Sequence, residues 1–150
     1  MQYRLEENLA EKRSPSAELG LAEYRTLAAF RYTLRRFLQF SDVAAAAVGL
    51  TQQQYQALLV MQSRHGTLSI SELASQLLVK HHSAVGLVDR LEEQGLVRRE
   101  PSLSDRRKVV VRLTTRGARV FGKLAAMHKA ELRRIGPGWA RFIKILSRPT

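Results

Sequence analysis

A change of hydrophobic period at Gly95 constrains the fold of this chain more than any other feature. Before this glycine, Ala84, Val88 and Leu91 recur at the three- and four-residue spacing that places side chains on one face of a helix. After it, residues 96–99 depart from the helical spacing and begin a segment with the two-residue period of a strand. Glycine readily takes the left-handed conformation that ends a helix. The stretch is therefore predicted to be helical up to Gly95 and extended beyond it.

A second strand is predicted at residues 108–114, after a polar connection at 101–105. Its alternating apolar residues are expected on one face: Val109, Val111 and Leu113. The resulting hairpin, residues 98–112, carries six basic and two acidic side chains. An arginine-rich tip suits the narrow minor groove of DNA; a solvated charged hairpin is the alternative. We expect Asp105 to accept hydrogen bonds from a neighbouring arginine and so to fix the direction of that guanidinium.

Three helices are predicted ahead of this unit. Apolar residues recur at helical spacing from Leu21 to Ala47, roughly 26 residues, until Gly49 ends the pattern. Because this length exceeds what one domain of 150 residues needs, the helix is expected to pack partly against another subunit; a helix lying across its own domain is the alternative. A T-x-x-Q capping box at residues 51–54 starts the next helix, which should bury Leu59 among others. An S-x-x-E box, capped by Ser69 or Ser71, starts the third helix.

The C-terminal part is predicted as two helices. The first should bury Phe121, Leu124 and Leu132, with His128 in the same register as a packed residue. Residues 136–138, Gly-Pro-Gly, are expected to break it, and a last amphipathic helix follows. The end helices hold more apolar surface than the central unit needs. Pairing with a second copy of the chain is the economical use of that surface.

Composition narrows the possible functions. The net charge of +12 favours a polyanionic partner, with nucleic acid preferred to a membrane. The lack of cysteine excludes disulfides and thiol chemistry and suits a reducing cytoplasm. The N-terminus lacks the apolar region of a secretory signal, and no apolar run could span a bilayer. Since no catalytic set or nucleotide-binding loop appears in a plausible context, we expect neither an enzyme nor a cofactor.

The two helices that begin near residues 51 and 69, the helix that ends at Gly95 and the hairpin after it have the order of a winged helix-turn-helix. In that motif the third helix, here the one that ends at Gly95, enters the major groove of DNA. The outward positions of the helix that ends at Gly95 include Ser83, Gly86 and Arg90, which are small or polar. Gly86 costs about 1 kcal/mol of helix stability relative to alanine. That cost makes sense if a larger residue would hold the helix away from the bases; a glycine merely facing solvent is the alternative. His81 and His82 are not expected to bind a metal, because adjacent helical residues do not face each other and no carboxylate or cysteine lies at ligand spacing.

These segments together resemble the MarR family of transcriptional regulators. The resemblance rests on residues 71–74 (SELA), 87–99 (LVDRLEEQGLVRR), 105–107 (DRR) and 113–117 (LTTRG), and with the flanking helices it covers about residues 20–148. It implies a homodimer of roughly triangular outline that binds a pseudo-palindromic operator. Such a regulator is usually a repressor that is released by a small, often aromatic or phenolic ligand.

The domain organisation follows from this resemblance. We expect a flexible arm at residues 1–18 and a single MarR-like domain at 19–150. Within it, a winged helix-turn-helix at about 51–115 lies between dimerisation helices at about 20–48 and 116–148. The fold class is thus mainly α with a small β-hairpin.

The resemblance and the outward positions together predict the contact residues. The predicted DNA contacts are Ser71, Lys80, His81, His82, Ser83, Gly86, Arg90, Arg98, Asp105, Arg106, Arg107 and Lys108. In the family the effector pocket lies between the dimerisation helices and the winged unit, which here implies Tyr32, Arg36, Phe40 and Tyr55; ordinary core packing of these residues is the alternative.

Two departures from the family pattern leave the operator sequence open. Position 86 often holds a long polar or basic residue in the family, and the helix usually starts with small or basic residues rather than with two histidines. The tip also has Ser102-Leu103 in place of the common Asp-Pro turn. The protein is predicted to be a cytoplasmic, homodimeric transcriptional repressor that binds double-stranded DNA. The alternative is a winged-helix module that binds protein or RNA without a specific operator.

Overall fold

A computed structural model of the protein describes residues 18–148. The described residues form five helices and one two-stranded antiparallel hairpin, which confirms the predicted fold class. In chain order the elements are α1 (Leu21–Ala47), α2 (Gln52–Ser63), α3 (Ile70–Leu77), α4 (His81–Glu93), β1 (Val97–Pro101), β2 (Val109–Leu113) and α5 (Thr115–Leu146). Of the predicted arm, residues 1–18, all but Glu18 lies outside the described residues.

The described chain divides into two compact units. The central unit, residues 36–134, holds α2, α3, α4 and the hairpin together with the adjoining parts of α1 and α5. The end unit holds the remaining parts of those two long helices, residues 18–35 and 135–148. The segment predicted as the winged helix-turn-helix lies wholly within the central unit.

Both predicted capping boxes are present. The amide of Gln54 donates to Thr51 Oγ1 at 3.1 Å, and the Thr51 amide donates to Gln54 Oε1 at 2.9 Å. The equivalent bonds join Ser69 and Glu72 at 3.2 and 2.8 Å, so Ser69 rather than Ser71 is the cap of α3. Hydrogen bonds that the Glu72 carboxylate accepts from the backbone and the side chain of Ser69 lower the pKa of this carboxyl. Each box satisfies amides at a helix start that otherwise lack a partner.

Apolar side chains from the helices form the core of the central unit. Five leucines of the helices are no more than 1% exposed, namely Leu58, Leu73, Leu87, Leu91 and Leu124, and Leu68 in the loop before α3 is equally buried. Full burial of such a side chain contributes about 1.5–3 kcal/mol. The hairpin is joined to this core by Val111, which is fully buried and whose amide donates to the carbonyl of Leu68 at 2.9 Å.

Thr114 and Gly117 fix the start of α5 against the end of α4. The Thr114 hydroxyl donates to the carbonyl of Gly95 at 2.6 Å and accepts from the amide of Gly117 at 3.0 Å. The Thr114 amide donates to the carbonyl of Leu96 at 3.0 Å. A Cβ atom at Gly117 would lie only 1.9 Å from that carbonyl oxygen. The helix can therefore approach this closely only because residue 117 has no side chain.

Two apolar residues expected in the core are exposed instead. Leu59 and Leu132 are 44% and 43% exposed and line an open cavity, because they stand at the edges of their apolar stripes. Val109 is 49% exposed, since it occupies the last pair of the hairpin ladder beside the tip, whereas its neighbour Val110 is buried. Val109, Val111 and Leu113 alternate along β2 as predicted, and of the three only Val111 is buried.

The predicted break at residues 136–138 was also wrong. Helix α5 continues through Pro137 to Leu146. A proline inside a helix costs about 3 kcal/mol, because it removes one hydrogen bond and crowds the carbonyl four residues earlier. In the end unit, Trp139 and Phe142 pack on Phe30 with ring centroids 5.6 and 6.3 Å apart. Aromatic packing of this kind favours the helical path over the local preference of the Gly-Pro-Gly segment.

Candidate nucleic-acid interface

Helix α4 is buried on one side only. Its inner side consists of Ala84, Leu87, Val88 and Leu91, none of which is more than 1% exposed. The opposite side carries exposed polar residues, of which five were singled out from the sequence: His81, His82, Ser83, Asp89 and Arg90. Other parts of the central unit contact only the edges of this side, at Asp89 and His81.

Gly86 lies half-buried among these outward residues. A Cβ atom added there would meet only the Arg90 Nη1 atom, at 3.6 Å, which is an ordinary van der Waals distance. Within the described part of the chain, nothing requires a glycine at this position. The reason for a residue that weakens the helix is therefore to be sought in what the helix binds.

The start of α4 differs from the starts of α2 and α3. Its N-cap residue is Lys80, whose side chain makes no capping hydrogen bond. Ser71, in the first turn of α3, lies beside this point, with its Oγ 3.3 Å from His81 Nδ1. The predicted contact residues Ser71, Lys80, His81 and His82 thus come together where α4 begins. Backbone amides at a helix start are suited to phosphate oxygens.

Backbone hydrogen bonds shape the tip of the hairpin. Asp105 accepts from the Arg107 amide at 3.0 Å through its carboxylate and from the Lys108 amide at 2.9 Å through its carbonyl. The Ser102 amide donates to the Lys108 carbonyl at 2.8 Å. Our expectation that Asp105 orients a guanidinium was wrong, because its donor is a main-chain N–H in a tight turn. The turn leaves the side chains of Arg106, Arg107 and Lys108 exposed.

Arg98 is a weaker candidate for a DNA contact than the tip residues. Its Nε donates to Glu100 Oε2 at 3.0 Å, although 61% of the side chain remains exposed. Glu100 also pairs with Arg112 from the opposite strand. An exposed pair of this kind contributes little stability, but it offsets part of the charge that Arg98 offers to a phosphate.

The sequence did not indicate the role of Arg99, which joins the hairpin to α4. Its guanidinium donates to Asp89 at 2.5 Å and also to Glu92, and its amide donates to Glu92 Oε1 at 3.1 Å. Burial lowers the pKa of Arg99, but the hydrogen bonds to Asp89 and Glu92 raise it overall. Two acidic residues three positions apart, facing the strand after Gly95, could have signalled this contact. It fixes where the hairpin stands relative to α4.

The four residues proposed for a ligand site differ in their surroundings. Tyr55 is buried and lines a cavity of about 310 Å³ in the central unit, together with residues of α1 and α5. Phe40 packs against the core without lining this cavity. Arg36 is exposed in the central unit, and Tyr32 belongs to the end unit, where it is 56% exposed.

His128 also lines this cavity and was predicted only as a packed residue. It is buried, stacks on Tyr55 with ring centroids 4.2 Å apart, and bonds to Ser41. Burial raises the pKa of the Tyr55 hydroxyl. Among residues 18–148, no group of three acidic, histidine or cysteine residues is placed to hold a metal ion, and no helix is long and apolar enough to cross a membrane.

The proteins that this chain resembles are transcriptional regulators with a helix-turn-helix, in agreement with an exposed helix beside a basic hairpin. A model of the MarR family matches residues 48–108. The uncharacterized HTH-type transcriptional regulator YfiV of Bacillus subtilis is 38% identical over 76 residues, 51% of this chain and 48% of that protein. A putative transcriptional regulatory protein for the hcr operon of Thauera aromatica is 34% identical over 112 residues, 74% of this chain and 63% of that protein.

The chain therefore spans about half the length of the curated relatives it matches first. Among solved structures, AbsC, a MarR family transcriptional regulator from Streptomyces coelicolor, superposes with a TM-score of 0.68 at 25% identity and covers 88% of this chain and 94% of that one. The matching proteins are transcriptional regulators, in agreement with the expectation that the chain is not an enzyme.

Proposed function

Because the chain belongs to the MarR family of transcriptional regulators, we propose that it is a cytoplasmic, sequence-specific repressor that binds a pseudo-palindromic operator as a homodimer. One observation carries the proposal: the outer side of α4 is small or polar and largely exposed, and the hairpin that Arg99 joins to α4 ends in a basic tip. An apolar partner surface would call for apolar side chains there. A polyanionic groove calls for the residues that are present.

The two parts of this surface have different roles. Ser83 and Gly86 allow the axis of α4 to approach the base edges in the major groove, and Arg90 offers a bidentate donor. Arg106 and Arg107 at the tip reach the backbone or the narrow minor groove, where they contribute affinity more than sequence preference. The Arg99 contact holds these two parts at a fixed separation.

The end unit supports the proposal of a homodimer. It exposes four large apolar or aromatic side chains by more than half: Leu21, Tyr24, Tyr32 and Ile143. Exposed apolar surface of this kind on a helical unit is typical of a subunit interface. Two copies related by a twofold axis would present two α4 helices to successive major grooves on one side of the duplex.

The cavity in the central unit supports the proposal of a small-molecule effector. Its volume of about 310 Å³ lies at the lower end of the range for small-molecule sites. We propose that a ligand bound there lowers the affinity for the operator, which requires only that the ligand prefer a conformation that binds DNA poorly.

Selection of bound duplexes from a random pool tests the operator proposal. We expect enrichment of an inverted repeat whose half-sites are centred about 10 bp apart. A pool without sequence preference would contradict the proposal and favour the alternative of a protein- or RNA-binding module.

Substitution at the tip tests the assignment of DNA-binding residues. Arg107→Ala should weaken binding to all duplexes and reduce the slope of log affinity against log salt by about one unit, because one phosphate is no longer neutralised. Arg141→Ala, which removes an exposed arginine in the end unit, is the matched control and should leave the slope unchanged. Equal slopes for the two variants would remove the tip from the interface.

A further inference from the structure

The exposed side of α5 in the central unit carries a row of basic and small residues that the proposed function does not use. Its six positions, spaced alternately three and four residues apart, are all exposed: Arg116, Arg119, Lys123, Ala126, Ala130 and Arg133. Residues at this spacing are neighbours on one face of a helix. At 1.5 Å per residue the row is about 26 Å long. We call it the α5 basic face.

The four basic residues of the α5 basic face have no acidic partner. Among the described residues, none of the four takes part in an ion pair. Glu131 is the only acidic residue of α5, and it pairs instead with Arg134. Like charges three or four residues apart repel each other and weaken a helix. The arrangement is therefore unfavourable within the folded chain, and a bound polyanion would relieve it.

The α5 basic face presents no large apolar side chain to a partner. Ala126 and Ala130, between Lys123 and Arg133, contribute only methyl groups. The large apolar residues Phe121 and Leu124 are buried on the opposite side of the helix. Within the described part of α5, the exposed large apolar residue nearest to this face is Met127. Whatever binds the face therefore meets positive charge and a low surface between the charges.

These properties favour a phosphate backbone over the other kinds of partner. A helix that lies on a membrane needs large apolar residues on its exposed side. A stable protein interface needs apolar or aromatic residues at its centre, and a second copy of the same face would bring like charges together. The backbone of a nucleic acid instead presents a row of phosphates that lysine and arginine side chains neutralise one by one.

The α5 basic face starts close to the helix that is proposed to enter the major groove. Gly117, the neighbour of Arg116, approaches the carbonyl of Leu96, which lies three residues beyond the end of α4. Residues 36–134, which include this part of α5 and all of α4, form one compact unit. A duplex held by α4 and a duplex backbone on α5 would thus be bound by the same unit.

We propose that the α5 basic face is a second surface for the backbone of double-stranded DNA, independent of sequence. It goes beyond the proposed function, because it adds affinity without reading bases and does not require α4 to be sequence-specific. The backbone it binds belongs either to the flank of the operator duplex or to a second duplex. The chemistry is the same in both cases, and the experiment distinguishes them.

The lack of cysteine allows this surface to be mapped by tethered cleavage. Ala126→Cys places one thiol in the middle of the α5 basic face, and an iron–EDTA reagent attached to it cuts any DNA backbone nearby. The labelled protein is mixed with a duplex that extends well beyond the selected operator and with a second, operator-free duplex that carries a different label. We expect cuts either in the flanks of the first duplex or in the second one, which identifies the source.

Two controls accompany the cleavage experiment. The parent chain, which has no thiol, is treated with the same reagent and accounts for cuts by free reagent. Ala28→Cys places the reagent at an exposed position of α1 in the end unit. If Ala126→Cys gave no more cuts in either duplex than these controls, the proposal would be overturned.

Removal of two charges tests the contribution to affinity. On the duplex that is cut, Arg119→Gln/Lys123→Gln should reduce the slope of log affinity against log salt by about two units, because two phosphates are no longer neutralised. Arg25→Gln/Arg31→Gln removes the same charge from exposed positions of α1 and should leave the slope unchanged. Equal slopes for the two variants would also overturn the proposal. Thermal unfolding establishes that both variants fold.

This proposal and the proposed function fail separately. Duplex selection without sequence preference would contradict the operator proposal, while the α5 basic face would still be tested on the operator-free duplex. An enriched inverted repeat together with unchanged slopes and no specific cuts would leave the operator proposal intact and remove the second surface.

Discussion

Two helical glycines of the central unit differ in the space that surrounds them. At Gly117 an added Cβ would lie 1.9 Å from the carbonyl oxygen of Leu96, whereas at Gly86 it would meet only the Arg90 guanidinium at 3.6 Å. Both glycines weaken their helices by a similar amount, about 1 kcal/mol each. The first weakness is explained by packing within the chain. No contact within the described residues explains the second, which we attribute to the proposed DNA surface.

The same contrast applies to the helix starts. Helices α2 and α3 use capping boxes that satisfy their own amides, while α4 has a lysine at its N-cap position with no side-chain hydrogen bond. Where the chain serves its own fold, polar groups have intramolecular partners at short distances. Where it is proposed to face DNA, at the start of α4, the N-cap side chain makes no such bond. The following substitutions test this division.

The largest effect is expected from Gly117→Ala. The new methyl group cannot be accommodated without moving α5 away from the end of α4, because the obstacle is a backbone carbonyl. We expect the free energy of unfolding, measured by urea denaturation, to fall by about 3 kcal/mol. A decrease below about 1 kcal/mol would show that the close approach is not required.

Gly86→Ala should have the opposite effect on stability and a separate effect on binding. We expect the free energy of unfolding to rise by about 1 kcal/mol, as for an alanine in a helix interior, and operator affinity to fall about tenfold. Gly122→Ala is the matched control, since a Cβ there meets nothing within 4 Å on an exposed side of α5. It should give the same gain in stability with unchanged affinity. If the two variants bind alike, Gly86 does not face the bases.

A pair of serines extends the comparison to polar side chains. Ser69→Ala removes the cap of α3 and should lower the free energy of unfolding by about 1 kcal/mol. Ser83→Ala changes an exposed serine of α4 and should leave stability unchanged while altering the preferred bases in the operator. Chemical denaturation and duplex selection separate these outcomes; a decrease in stability at Ser83 would contradict the division.

The smallest effect concerns the pH dependence of the α3 cap. Hydrogen bonds from the backbone and side chain of Ser69 lower the pKa of Glu72 below its ordinary value of 4.5. A lowered carboxyl pKa stabilises the fold above pH 4.5, and that contribution disappears as the pH falls through the folded pKa. Ser69→Ala retains the backbone bond, so the pKa of Glu72 should rise only part of the way to 4.5 in an NMR titration. An unchanged pKa would show that the Ser69 hydroxyl does not reach the carboxylate in solution.

Local patterns in the sequence were sufficient for most element boundaries. Capping boxes and helix-ending glycines act within one turn of the chain, so α1, α2 and α3 begin and end near the predicted residues. The inner side of α4 was predicted correctly for the same reason: its apolar residues recur without interruption. The outward side then followed as its complement.

Features that depend on distant contacts could not be predicted in this way. Arg99 bonds to Asp89 and Glu92, and Gly117 approaches Leu96 closely. These contacts join residues that are brought together only when the chain folds. Leu59 and Leu132 line the cavity and remain exposed, although the spacing of apolar residues predicted that both are buried. The spacing gives the direction of an apolar face but not the width of the part that is covered. Hydrophobic spacing predicts which side of a helix turns inward, but not how far the neighbouring helix extends over it.

Pro137 has one further consequence. Because proline has no N–H, residue 137 cannot donate the usual helical hydrogen bond to the carbonyl of Arg133, four residues earlier in α5. Amide protons near this missing hydrogen bond should exchange with deuterated solvent faster than those around Leu124, whose side chain is fully buried in the same helix. The protection profile of α5 is thus expected to show a minimum in mid-helix rather than only at its two ends.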